Sequence, residues 1–147
     1  LVAEVLEELS NQNVKIFLFG GGKDEIVKLE SLSSRFNNVI SLAGKSKFKE
    51  ELQVISNLDL MVSMDSGNAH LAAMYGVKVL TLWGVTHPYA GFGAFGQPED
   101  HHLLPDLKKY PAIPTSVYGN KYPEGYENVM ESISPQMVVQ RINSILS

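Results

Sequence analysis

Asp65, Ser66 and Gly67, with His70 one turn further on, are the residues of this sequence best suited to hold an anion. Asp and Ser are the residue types that cap helix N-termini, and a glycine at such a junction lets backbone approach a ligand closely. The amides of a helix's first turn have no intrahelical acceptor and stand at the positive end of its dipole, so the ligand such a turn favours is a phosphate. Ser66, Gly67 and Asn68 offer those amides, and Thr86, in Gly84-Val85-Thr86-His87-Pro88, offers a hydroxyl. His70 has two readings: a structural histidine, or a group that hydrogen-bonds or protonates the phosphate. Asp65 would repel a diphosphate unless a cation or proton intervened, which suits it to capping the helix or accepting from a ligand hydroxyl.

The elements around these residues must bring them to one edge. Residues 58–64 are a short apolar run, as in a parallel strand covered on both faces, and residues 70–75 are helix formers closed by Gly76. Residues 77–83 form the next strand. Ligand crevices of open parallel sheets lie beyond the carboxyl ends of the strands, so the turn at 65–67 and the loop at 84–88 are expected to share one. Upstream, residues 14–19 are rich in β-formers, and Gly20-Gly21-Gly22 separates them from a helix over 24–36. Gly22 permits close approach, while Glu25 in the first turn is either a dipole partner or a carboxylate facing the crevice. A strand at 38–42 leads to Ala43-Gly44-Lys45-Ser46 and a helix over 48–57. A Walker loop is excluded, because Val39 stands where its upstream glycine belongs. Lys45 is then a solvated loop cation or a point charge towards phosphate. The alternation predicts an α/β fold: a Rossmann-like parallel sheet with helices on both faces and right-handed crossovers.

Asp-Ser-Gly-x-x-His-Leu-Ala-Ala at 65–73, followed by a strand and Gly-x-Thr-x-Pro at 84–88, resembles the heptosyltransferase family, glycosyltransferase family nine. The resemblance runs from about Val14 to Pro88. It implies the C-terminal half of a GT-B architecture, so residues 1–147 are expected to be a single nucleotide-sugar-binding domain, a piece lacking the N-terminal acceptor domain. It further implies an ADP-sugar donor, ADP-heptose, and a lipopolysaccharide-core acceptor reached through the missing domain, with inversion at the transferred carbon. The donor-binding residues it implies are Gly22, Glu25, Lys45, Asp65, Ser66, Gly67, Asn68, His70 and Thr86, with Glu25 on the ribose or base. In that architecture the catalytic base lies in the N-terminal domain, so no catalytic residue is assigned here, and no cofactor or metal is called for. Trp83, Asn68-Ala69 and the long insert depart from the pattern and leave room for another substrate. Two alternatives stand beside this one: a non-catalytic nucleotide-binding module, and a GT-B enzyme using another nucleotide sugar. Serine hydrolysis fails, because Met64 and Asn68 replace the glycines of a nucleophile elbow around Ser66. A receiver-like signalling domain fails too, for no acidic cluster follows the first strand.

Composition narrows the partners. The chain has 147 residues, 44% of them hydrophobic, enough for a packed core without staples. The absence of cysteine fits a reducing compartment. A net charge of -4 and a pI near 5.5 argue against a nucleic-acid surface. No apolar run approaches the ~20 residues needed to span a bilayer. The expected location is cytoplasmic, with the inner membrane surface open to peripheral association of the full protein. Leu1, Val5, Leu6 and Leu9 mark one face of an initial helix. Residues 89–126 lose all periodicity and form a long irregular insert rich in Gly and Pro. Its aromatics Phe92, Phe95, Tyr110, Tyr118 and Tyr122 fit an ordered surface excursion, a ligand cleft or a face packed on a missing domain. Asp100-His101-His102 with Asp106 has the composition of a metal site, but adjacent histidines point apart in regular structure, and a solvated loop is expected. A short helix is expected over 124–132. Ser134-Pro135 then opens a last helix whose Val138, Val139, Ile142 and Ile145 should dock on the sheet.

Overall fold

Short parallel ladders, each built from a β-rich run, organise the chain in the computed structural model, which describes residues 1–147. The chain divides into two units, Leu1–Val54 and Ile55–Ser147. In the first, α1 (Val2–Leu9) buries Leu6 and Leu9, and β1 (Ile16–Leu18) pairs in parallel with β2 (Val39–Ser41), Ile16 opposite Val39. The Asn38 amide nitrogen donates to the carbonyls of Leu9 (3.3 Å) and Val14 (3.1 Å), tying the end of α1 to the start of β2. Between the strands lies α2 (Lys23–Ser33), entered through Gly22 at φ 85, a backbone conformation that only glycine adopts without strain. The helix α3 (Phe48–Ile55) follows β2.

In the second unit, β3 (Leu60–Met64) leads to α4 (Gly67–Met74), and β4 (Lys78–Leu82) pairs in parallel with β3, Met64 opposite Leu82. Gly76, at φ 75, ends α4 in a Schellman arrangement, its amide on Ala73 O (3.0 Å) and that of Val77 on Ala72 O (3.1 Å). The core is centred on β4: Val79, Leu80, Thr81 and Trp83 are fully buried, with Ile133 and Val138. The closing helix α5 (Pro135–Leu146) is capped by Ser134 Oγ, which accepts from Met137 N (3.2 Å), and it packs on β3 and β4. At its far end Lys78 Nζ donates to the Ile145 carbonyl (2.7 Å), the cation–C-terminus pairing that the helix dipole favours.

The α/β class with parallel strands and flanking helices is as the alternation predicts. Its hydrogen bonding differs in detail, for the four predicted strands make two ladders, β1–β2 and β3–β4–β5. The last of these, β5 (His102–Leu103), lies inside the stretch expected to be irregular and runs parallel to β4, Thr81 opposite His102. At this length a strand shows no alternation in sequence. The short helix expected over 124–132 reduces to a 3-10 turn at Val129–Ser132.

Candidate functional site

The turn from β3 into α4 has the open helix start that anion binding requires. Ser66 occupies the N-cap position with extended backbone (φ -150, ψ 164), but its hydroxyl lies 2.8 Å from Ser63 Oγ and caps nothing. Asp65 does not cap the helix either; its Oδ2 accepts from Thr86 Oγ1 at 3.5 Å. The expected side-chain cap is therefore corrected, because Ser63 and Thr86 draw both side chains away from the helix. Its first-turn amides are left without a side-chain acceptor. Gly67 is exposed, and a Cβ built on it would meet nothing within 4 Å. Asn68 is half-buried, and His70 is exposed on the first turn.

Thr86 is buried, and the long insert is what holds it. Thr115 donates to the Val85 carbonyl through both its amide (3.0 Å) and its hydroxyl (3.3 Å). Gly119, at φ +67, sits so close that an added Cβ would stand 2.8 Å from Thr86 Cγ2. Gly119→Ala should both strain the backbone and displace Thr86. We expect a stability loss of about 1–2 kcal/mol by urea denaturation and several-fold weaker nucleotide binding by calorimetry. Unchanged affinity would show that Thr86 has no part in binding.

The remaining candidates belong to the first unit. Glu25 Oε2 accepts from the Gly21 amide at 2.9 Å, so the carboxylate reaches back over the glycine turn and keeps its other oxygen free of protein partners. Gly20 is required by packing: a Cβ there would lie 2.5 Å from Leu29 Cδ1 and 2.9 Å from the Glu25 carboxyl carbon. At Gly22 the same space is open. Lys45 forms an exposed ion pair with Glu30 (2.8 Å), a contact worth about 0–1 kcal/mol.

The sequence profile of glycosyltransferase family 9 (heptosyltransferase) matches residues 2–113. The chain belongs to this family. Among its relatives, lipooligosaccharide heptosyltransferase 2 of Haemophilus influenzae is 27% identical over 156 residues, covering 99% of this chain and 41% of the relative. The chain thus spans well under half of that protein and matches its C-terminal part. Two solved structures share the fold. That of E. coli ADP-heptose lipopolysaccharide heptosyltransferase II superposes with TM-score 0.69 at 21% identity, covering 99% of this chain and 40% of that one. E. coli heptosyltransferase WaaC with ADP gives 0.67 at 22% identity, covering 97% and 38%. The fold of this family-9 chain is accordingly similar to that of the matching part of GT-B heptosyltransferases.

On the other side of β4 from the turn, this family-9 chain carries a histidine cluster that is not the expected solvated loop. His101 is buried, and His102 is half-buried with its Nδ1 accepting the Trp83 indole N–H at 3.1 Å. The physical reason is Trp83, whose fully buried ring needs an acceptor for its one donor. No group of three His, Asp or Glu side chains is placed to hold a metal ion. Burial, followed by the neighbouring His101 and His87, lowers the His102 pKa from its usual 6.5 against an opposing pull from Glu99. Between that lowered value and 6.5 the unfolded chain binds the proton and the folded chain does not. Stability should be full above 6.5 and fall as pH drops below it. Urea midpoints across this range should fall less steeply in His102→Gln; equal slopes would contradict the assignment.

Proposed function

We propose that this chain is the donor-binding part of a heptosyltransferase, holding the diphosphate of ADP-heptose while the heptose passes to a lipopolysaccharide-core acceptor. The observation that carries the reading is the uncapped start of α4, within a chain that belongs to a heptosyltransferase family. The acceptor hydroxyl attacks the anomeric carbon with inversion, and the bond from that carbon to the β-phosphate oxygen breaks with its electron pair going to ADP. The hydroxyl proton passes to a base outside these residues. Leaving-group charge is then stabilised by the amides of Ser66, Gly67 and Asn68 and by the Thr86 hydroxyl, with His70 beside them. Asp65, turned towards Thr86, accepts from a sugar hydroxyl. Gly22 and Glu25 serve the nucleoside, and Lys45 adds positive potential once released from Glu30.

The ADP named with the WaaC structure supports adenine as the base. No helix is long and apolar enough to cross a membrane, and we place the full protein in the cytoplasm, at the inner membrane surface where its acceptor lies. Calorimetric titration with ADP, UDP and GDP tests the reading. ADP should bind at least about tenfold more tightly than the others, a difference of about 1.4 kcal/mol. Preference for UDP would redirect it to another nucleotide sugar, and no binding of any of the three would refute it.

A further inference from the structure

A cavity of about 620 Å³ opens beside the loop that carries Thr86, lined among others by His87, Tyr89, Glu99 and His102. It is an open surface cleft, with Tyr89 and Glu99 exposed to solvent, and its polar groups are already oriented. His87 Nδ1 accepts from the Tyr89 amide (3.2 Å) and His102 Nδ1 from Trp83 (3.1 Å), so in both neutral rings the proton sits on Nε2 as a donor. Gly93, also in the lining, faces the Cε1–Nε2 edge of His102: an added Cβ would stand 3.6 and 3.8 Å from those atoms, in van der Waals contact, and the glycine leaves that contact unmade. Opposite in character is Glu99, whose Oε1 accepts from the Tyr89 hydroxyl at 3.0 Å and whose second oxygen is a free acceptor. Pro88 and Leu104 supply apolar wall.

This lining selects its ligand by elimination. The Glu99 carboxylate opposes an anion, and the imidazole N–H donors oppose a cation. Hydroxyl groups donate and accept at once, and the C–H face of a pyranose suits the apolar wall and the Tyr89 ring. We propose that the cavity is a subsite for an uncharged, hydroxyl-rich saccharide ring of the acceptor. A ring bonded directly to the donor diphosphate would bring that charge towards Glu99; an acceptor ring does not. Naming the ring as the acceptor's rests on the glycosyl-transfer reading above, whereas the saccharide chemistry rests on the cavity alone.

Trp83 is the single tryptophan, and its indole N–H reports on His102. In the ¹⁵N-labelled chain, methyl α-mannopyranoside at tens of millimolar should move that resonance saturably, equally with and without ADP. Glu99→Gln and Tyr89→Phe alter exposed side chains and should leave the spectrum folded while weakening the effect, by about tenfold for Glu99→Gln. A resonance that stays still, a shift abolished by ADP, or a shift indifferent to both variants would overturn the subsite. ADP moving the amides of residues 66–68 while the glycoside leaves the indole resonance still would keep the donor reading intact and overturn this one. A glycoside effect without any ADP binding would do the reverse for the donor reading and uphold the saccharide subsite.

Discussion

Gly67→Val is expected to remove most nucleotide binding and leave the fold in place. A Cβ at this position meets no protein atom, so the valine side chain projects into the space that a diphosphate would fill in front of the first-turn amides. Two or three charge-assisted hydrogen bonds, at about 1.5–3 kcal/mol each, are thereby denied. Affinity for ADP should fall at least about 100-fold. The backbone of Gly67 is not in the left-handed region, so the substitution adds no strain. Valine is no poorer a helix former than the glycine it replaces, so the melting temperature should move by no more than about 2 °C. Calorimetry with ADP, alongside thermal denaturation, checks both halves. Retained affinity would remove the α4 start from the site; a large drop in melting temperature would mean that Gly67 is needed for folding instead.

Trp83→Ala should cost the most stability of any single truncation. The ring is fully buried at the end of β4 and stands 5.7 Å, centroid to centroid, from His102. Removing a buried tryptophan costs about 3–5 kcal/mol from lost transfer energy and the cavity left behind. The substitution also strips His102 of the donor that orients it. Against a total stability of about 5–15 kcal/mol, this leaves a marginal fold. Trp83→Phe keeps most of the volume and loses the hydrogen bond, so its cost should be about 1–2 kcal/mol. Urea denaturation followed by far-ultraviolet circular dichroism measures both variants. A loss below about 1 kcal/mol in Trp83→Ala would show that the surroundings collapse into the vacated space.

The turn of residues 65–68 was legible because every signal there agrees. An apolar strand, a junction of capping residues and glycine, helix formers and a closing Gly76 admit one local arrangement. Its hydrogen bonds were not legible. Residue type alone makes Ser66 a cap, but Ser63, on β3 three residues earlier, competes for its hydroxyl. Sequence alone makes the histidine pair solvated, because neighbouring side chains diverge in regular structure. That rule holds for the pair and says nothing of the indole that draws one ring inwards. The unpartnered N–H of a lone tryptophan behind a strand was the signal that could have found His102.

From its own residues, the chain set the order of strands and helices, the glycine-marked ends of α4 and the start of α2, and the apolar face of α5. Local backbone preference and hydrophobic periodicity operate over a few residues, and those features need nothing more. Which ladders the strands join, that Gly119 packs against Thr86, and that His102 meets Trp83 were settled only in three dimensions. Each depends on contact between segments far apart in sequence, where burial and hydrogen-bond satisfaction outweigh any preference written within a single turn.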